Sequence, residues 1–177
     1  HDGIITVESE AGKGTTFRIY LPATTSEVST AHRNVVKKDK VKNQKLLNGK
    51  GRILIMDDEM GIREIVSAML SRMGYTVVSV KDGDEAIKEY KSAYENSHSY
   101  DVVILDLTIP GGRGGRKTLE DLSKIDPNVK AIVSSGYSND PIMSEYKKYG
   151  FYGCVAKPFK ASELSVVLSE VINMSSI

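Results

Sequence analysis

Val102-Val103-Ile104-Leu105-Asp106-Leu107-Thr108-Ile109-Pro110 is the stretch that decides how this chain folds. Four apolar residues, two of them valines, run straight into a carboxylate, and Pro110 with a run of glycines closes the stretch. So short and continuous an apolar run, bounded by breakers, reads as a strand buried on both faces, as in parallel sheets. Open parallel sheets bind ligands at the carboxyl ends of their strands, so Asp106 is expected at the mouth of the sheet.

The same pattern repeats on either side. Upstream, Arg52-Ile53-Leu54-Ile55-Met56 is a second apolar run, and it ends at Asp57-Asp58. Ile62, Ile65, Val66, Met69, Leu70 and Met73 then recur at three- and four-residue spacing, one face of an amphipathic helix stopped by Gly74. Tyr75 to Val80 is β-rich, Asp82-Gly83 is a turn, and Ala86, Ile87, Tyr90, Ala93 and Tyr94 form a second helical stripe. Downstream, Gly111-Gly112-Arg113-Gly114-Gly115 leads into a third helix that runs to about Lys124. A fourth strand, Val129 to Val133, ends at Ser134-Ser135-Gly136. Asp140 caps and Pro141 starts a fourth helix expected to end at Gly150. Tyr152 to Ala156 is the fifth strand, followed by Lys157-Pro158-Phe159, and Leu164, Val167, Leu168 and Val171 stripe the last helix. Five strands alternating with five helices, joined by right-handed crossovers, give an α/β doubly wound fold with a five-stranded parallel sheet.

Parallel strands deliver their carboxyl ends to one edge. That edge gathers Asp57, Asp58 and Asp106, the Ser134 hydroxyl and the Lys157 ammonium. Crowded carboxylates repel one another, and a cation relieves them. Oxygen-only ligation suits magnesium, which takes one or two carboxylates together with waters and phosphate oxygens. A carboxylate beside a hard cation, a lysine and a serine is a set for phosphoryl transfer: nucleophile, charge neutraliser, and donors to the phosphoryl oxygens. A cis Lys157–Pro158 bond is expected, since a sharp turn there aims Lys157 back at Asp106.

The composition is that of an ordinary globular protein, 40% hydrophobic and 27% charged with net charge +1. The charge is uneven: net −1 over 1–23, +5 over 24–50 and −3 over 52–177. The basic middle lacks aromatics and scatters its lysines, which marks a linker and argues against nucleic-acid binding. No run is long enough to span a membrane, and the single Cys154, set in an apolar run, fits a cytoplasmic protein. Ile4–Glu8 and Thr15–Leu21 flank the turn residues Ser9 to Gly14, so the N-terminus reads as a hairpin. Gly12-Lys13-Gly14-Thr15 is not a phosphate loop, because Lys13 does not directly precede a hydroxyl residue and position 8 is Glu8. The chain opens at His1 without a methionine, and we expect a piece of a longer protein.

Two resemblances bear on these residues. Asp57-Asp58, Asp106, Ser134 and Lys157-Pro158-Phe159 fall in the order and spacing of the receiver domain of two-component response regulators, and residues 52–177 resemble that domain throughout. The resemblance implies a flavodoxin-like fold and transfer of a phosphoryl group from a phosphohistidine to Asp106. It implies magnesium held by Asp58, Asp106 and the Thr108 carbonyl, with Asp57 acting mainly through a water on the ion. Ser134 would follow the phosphoryl group on activation and Lys157 would bridge to it. The family often carries an aromatic residue three positions before the lysine, where this chain has Cys154. Separately, Gly3-Ile4-Ile5-Thr6-Val7-Glu8 with Gly12-Lys13-Gly14-Thr15-Thr16-Phe17 resembles the last two strands of a sensor histidine kinase ATPase domain.

Together these imply a hybrid kinase: an ATPase-domain remnant over 1–23, a linker over 24–51 and a receiver over 52–177. The phosphodonor would be the parent kinase's own histidine or a separate phosphotransfer protein. The fragment lacks the kinase nucleotide site, and whether it acts as an enzyme beyond its own phosphorylation and dephosphorylation is left open. Two competing readings use the same elements. An aspartate-nucleophile phosphatase of the haloacid dehalogenase type wants a second Asp where this chain has Thr108. A flavin-binding or docking module wants aromatics at the strand ends, where Tyr137 is the one candidate.

Overall fold

The architecture follows from how each strand divides its side chains. In the computed structural model, which describes residues 3–22, 49–136 and 140–174, the second body begins with β3 (Arg52–Met56). It continues through α1 (Met60–Arg72), β4 (Thr76–Val80), α2 (Gly83–Glu95), β5 (Val102–Asp106) and α3 (Gly115–Ile125). Then come β6 (Ala131–Ser135), α4 (Pro141–Ser144), a 3-10 turn (Tyr146–Tyr149), β7 (Gly153–Ala156) and α5 (Ala161–Asn173). The five strands form one parallel sheet in the order β4-β3-β5-β6-β7. All five residues of β5 are buried, as the apolar run requires of a central strand.

Alternation along the strands sends successive residues to opposite layers. Leu54, Met56, Val103, Leu105 and Val133 meet Ala86 and Tyr90 of α2 and Leu119 and Leu122 of α3. Ile53, Ile55, Ile104 and Ile132 meet Val66 and Leu70 of α1 and Leu164, Leu168 and Val171 of α5. Each fully buried leucine or isoleucine contributes roughly 1.5–3 kcal/mol, so either layer alone is a substantial core. The chain runs from β3 out to β4 and returns to β5 on the other side. A crevice therefore opens between the carboxyl ends of β3 and β5.

Helix ends mostly match the sequence signals. The α1 helix stops at Gly74, whose φ of +98° suits a residue without a Cβ. Asp82 and Asp140 cap α2 and α4 by accepting from the main-chain N–H groups of Glu85 and Ile142. The fourth helix differs from expectation. It is one turn long and gives way to a 3-10 turn, with Glu145 between them in a non-helical conformation (φ −119°). Ser144 donates its hydroxyl to the Pro141 carbonyl, a local bond that competes with the helical ladder. A segment this short has little helical stability of its own to resist that.

The first body is the expected hairpin, β1 (Ile4–Glu10) against β2 (Gly14–Tyr20), antiparallel with Val7 opposite Phe17 and Ile5 opposite Ile19. β1 runs two residues longer than expected and β2 begins and ends one residue earlier, leaving Ala11-Gly12-Lys13 as the turn. Period-two alternation puts Ile5, Val7, Phe17 and Ile19 on one face, and every residue of both strands is exposed. The linker expectation over 24–51 falls outside the described residues except for 49–51, and so does Tyr137.

Candidate functional site

The crevice at the β3 and β5 ends holds the expected carboxylates. Asp106 is the last residue of β5 and Asp57 the first beyond β3; both are buried, while Asp58 is exposed. Carboxylate oxygens of all three lie within 4.8 Å of one another. Lys157, just past β7, donates to Asp106 Oδ2 at 2.7 Å and pairs with Asp57 Oδ2 at 2.5 Å. All three side chains in this bridge are at most 10% exposed. The Lys157–Pro158 bond is cis, as expected.

Local hydrogen bonds fix the remaining oxygens. Asp57 Oδ1 accepts the Glu59 N–H at 3.0 Å, and Asp106 Oδ1 accepts the Thr108 N–H at a longer 3.4 Å. The Lys157 N–H donates to the Ser135 carbonyl, tying the lysine's backbone to the end of β6. On α1, Arg63 Nη1 donates to the main-chain carbonyls of Asp57 (2.7 Å) and Asp58 (3.0 Å). Opposite, the loop after β5 folds back on its own start so closely that a Cβ on Gly114 would lie 2.3 Å from the Leu107 carbonyl oxygen. Arg113 of that loop ties α2 to α3 through Asp84 and Asp121.

Burial pushes the Asp106 carboxyl above its ordinary range, and the bond from Lys157 only partly offsets that. Burial works to lower the Lys157 ammonium. The hydrogen bonds and charges of Asp106 and Asp57 outweigh it, so the lysine is held charged. With every group ionised, the cluster of three carboxylates and one ammonium carries −2. An all-oxygen set with that deficit fits a hard divalent cation. Beside it lies a cavity of about 520 Å³, lined by Asp58, Asp106, Thr108, Ser135, Gly136 and Lys157.

The expected residues are therefore brought together with one adjustment. Ser134 is buried, one residue inside the end of β6, and pairs in register with Asp106. The serine lining the cavity is Ser135. The apolar run ends at Val133, whereas β6 continues through Ser135, which moves the outermost hydroxyl along by one. Arg63 was not anticipated, because a helical arginine reaching loop carbonyls leaves no spacing signature. Cys154 occupies β7, partly buried, with its thiol pushed up by burial.

Comparison with known proteins agrees with this geometry. Residues 53–169 match the family described as the response regulator receiver domain. The sensor kinase CckA of Brucella abortus is 32% identical over 171 residues, which is 96% of this chain but only 18% of that kinase. The chemotaxis protein CheY of Thermotoga maritima is 31% identical over 121 residues, covering 68% of this chain and 96% of that protein. The receiver domain of the sensor histidine kinase PA1611 from Pseudomonas aeruginosa superposes with a TM-score of 0.62 at 23% identity. That match covers 71% of this chain and all of that one, whose structure has magnesium coordinated in the active-site cleft.

Proposed function

This chain belongs to the response regulator receiver family, and on that premise we propose that Asp106 is the residue that takes the phosphoryl group. The observation that carries the assignment is the Lys157 ammonium held between the buried carboxylates of Asp106 and Asp57 in an open cavity. An Asp106 carboxylate oxygen attacks the phosphorus of a phosphohistidine. The P–N bond breaks as the O–P bond forms, and the imidazole nitrogen leaves with the electron pair. Lys157 then bonds a phosphoryl oxygen in place of the carboxylate it held, and a strand-end serine hydroxyl donates to another. We assign that hydroxyl to Ser135, which lines the cavity, over the Ser134 expected from sequence.

Asp58, Asp106 and the Thr108 carbonyl would hold magnesium directly, with Asp57 contributing through an intervening water. Magnesium supplies the positive charge that the −2 cluster and the incoming phosphoryl oxygens lack. The magnesium in the cleft of the Pseudomonas receiver supports the same ion here.

The segments read as an ATPase-domain remnant over 1–23, a linker over 24–51 and a receiver over 52–177, in a hybrid sensor kinase. The CckA similarity, which runs over 96% of this chain and so includes the hairpin, supports that reading. So does the hairpin's exposed apolar face, a surface that a larger sheet would cover. The donor is a protein phosphohistidine, from the parent's own core or a separate phosphotransfer protein. The exposed Met60 and Ile65 on α1, the helix that follows Asp58, suit a protein surface. Among the described residues no helix is long and apolar enough to cross a membrane.

Incubation with acetyl phosphate and magnesium, followed by intact-mass measurement, tests the assignment. One added phosphoryl group is expected, lost in Asp106→Asn and with chelator. Equal labelling of the mutant refutes it.

A further inference from the structure

We infer that Arg63 is a positioning residue for the metal site, acting through the backbone of the acidic pair and not through its charge. The inference rests on the magnesium reading given above. Two carbonyls, Asp57 O and Asp58 O, fall between the end of β3 at Met56 and the start of α1 at Met60. Neither belongs to a strand ladder or to the helix, so each takes its partner from elsewhere. A single guanidinium nitrogen of Arg63, Nη1, serves both. It donates to both carbonyls, at 2.7 and 3.0 Å.

The consequence is geometric. The turn at Asp57-Asp58 is held from two sides, by the Glu59 N–H on Asp57 Oδ1 and by Arg63 on the two main-chain oxygens. This turn sends the Asp57 side chain inward to Lys157 and leaves Asp58 exposed at the cavity wall. Among the described residues Arg63 forms no ion pair with a carboxylate, so it contributes alignment to the site without neutralising any of its ligands. Its side chain can hold both oxygens because the helical bond from the Arg63 N–H to the Glu59 carbonyl fixes it one turn into α1.

Charge and alignment predict opposite signs, which makes the inference testable. A guanidinium near a cation site repels the cation, so removing its charge alone should tighten magnesium binding. Removing its alignment should weaken binding, and supporting groups around a metal are typically worth about 10–100-fold in affinity. The experiment is calorimetric titration of magnesium chloride, without phosphodonor, into wild type, Arg63→Met and Arg63→Lys, each confirmed folded by urea unfolding in chelator. We expect Arg63→Met to weaken binding about tenfold, and Arg63→Lys, which keeps a donor, to return within about threefold. The loss should persist when ionic strength is raised, since alignment is not screened.

Equal or tighter binding by a folded Arg63→Met overturns the inference. If Arg63→Met does not fold, Arg63→Ala, which likewise removes every donor, is read instead, and wild-type affinity in that folded variant overturns it equally. Absence of magnesium binding by the wild type would refute the metal reading itself, a result distinct from any difference among the variants.

Discussion

Lys157→Met should convert the centre of the site from a bridged cluster into two buried, unpaired carboxylates. Asp57 and Asp106 side chains are 2% and 7% exposed, so little water reaches them to replace the lost ammonium. Removing one partner of a buried pair costs about 3–5 kcal/mol. A ceiling follows from titration: a carboxyl with an ordinary value of 3.8 can always escape by taking a proton, at about 1.4 kcal/mol per pH unit, or about 4 kcal/mol at pH 7. Asp106 already holds its proton more tightly than usual, which lowers that ceiling. About 3 kcal/mol is therefore expected at pH 7 in chelator.

The pH dependence has a definite sign. A carboxyl whose folded value is raised binds its proton more tightly in the fold than unfolded. Stability is then present at low pH and falls as pH rises from the ordinary carboxylate range through the raised folded value. The mutant should recover stability on acidification by up to about 1.4 kcal/mol per pH unit, and should also recover on adding magnesium, by about 2.7 kcal/mol at a hundred times its dissociation constant. Urea unfolding with and without magnesium, from pH 7 to pH 5, measures both. A mutant as stable as wild type in chelator, or one that magnesium does not rescue, refutes the reasoning.

Three further perturbations separate other parts of the account. Ser135→Ala should slow phosphorylation by acetyl phosphate more than Ser134→Ala, since Ser135 lines the cavity; initial rates by intact mass decide, and the reverse order returns the role to Ser134. Tyr90 is buried with its hydroxyl donated to Asp126 at 2.8 Å, and burial pushes its phenol well above the ordinary value of 10, so stability should fall as pH rises above that value while Tyr90 stays protonated in the fold. Tyr90→Phe should cost about 1 kcal/mol in neutral urea unfolding and flatten that alkaline loss. Lys130 donates to the Ile172 and Met174 carbonyls at the end of α5, so Lys130→Met should cost about 1 kcal/mol and speed hydrogen exchange in the last turn of that helix.

The parts legible in the sequence were those set by burial and period. The run Val102–Asp106 could only be a two-sided strand, and the stripes on α1, α2 and α5 marked the faces that meet the sheet, except that Ile65 of the α1 stripe and Tyr94 of the α2 stripe lie exposed. Strand ends placed Asp57, Asp106 and Lys157 on one edge with the lysine aimed at Asp106, but not its second partner, Asp57, since that depends on side-chain reach across three strands. Where local chemistry competed, the reading slipped by a residue or a turn. The β6 strand ran on to Ser135 because parallel pairing with β7 continued there, and the α4 helix yielded to Ser144 and Glu145. Arg63 was invisible for a different reason. Its partners are main-chain oxygens, and any sequence in that loop supplies those.

The central claim is that the covalent chemistry happens at Asp106. Borohydride reduces an acyl phosphate on an aspartate to homoserine, so treating the acetyl phosphate and magnesium reaction with borohydride and sequencing the peptides by mass spectrometry marks the acceptor directly. The account predicts homoserine at position 106 alone, dependent on magnesium, with Asp57 and Asp58 unchanged. Homoserine at position 57 or 58, or labelling that survives in Asp106→Asn, would contradict it.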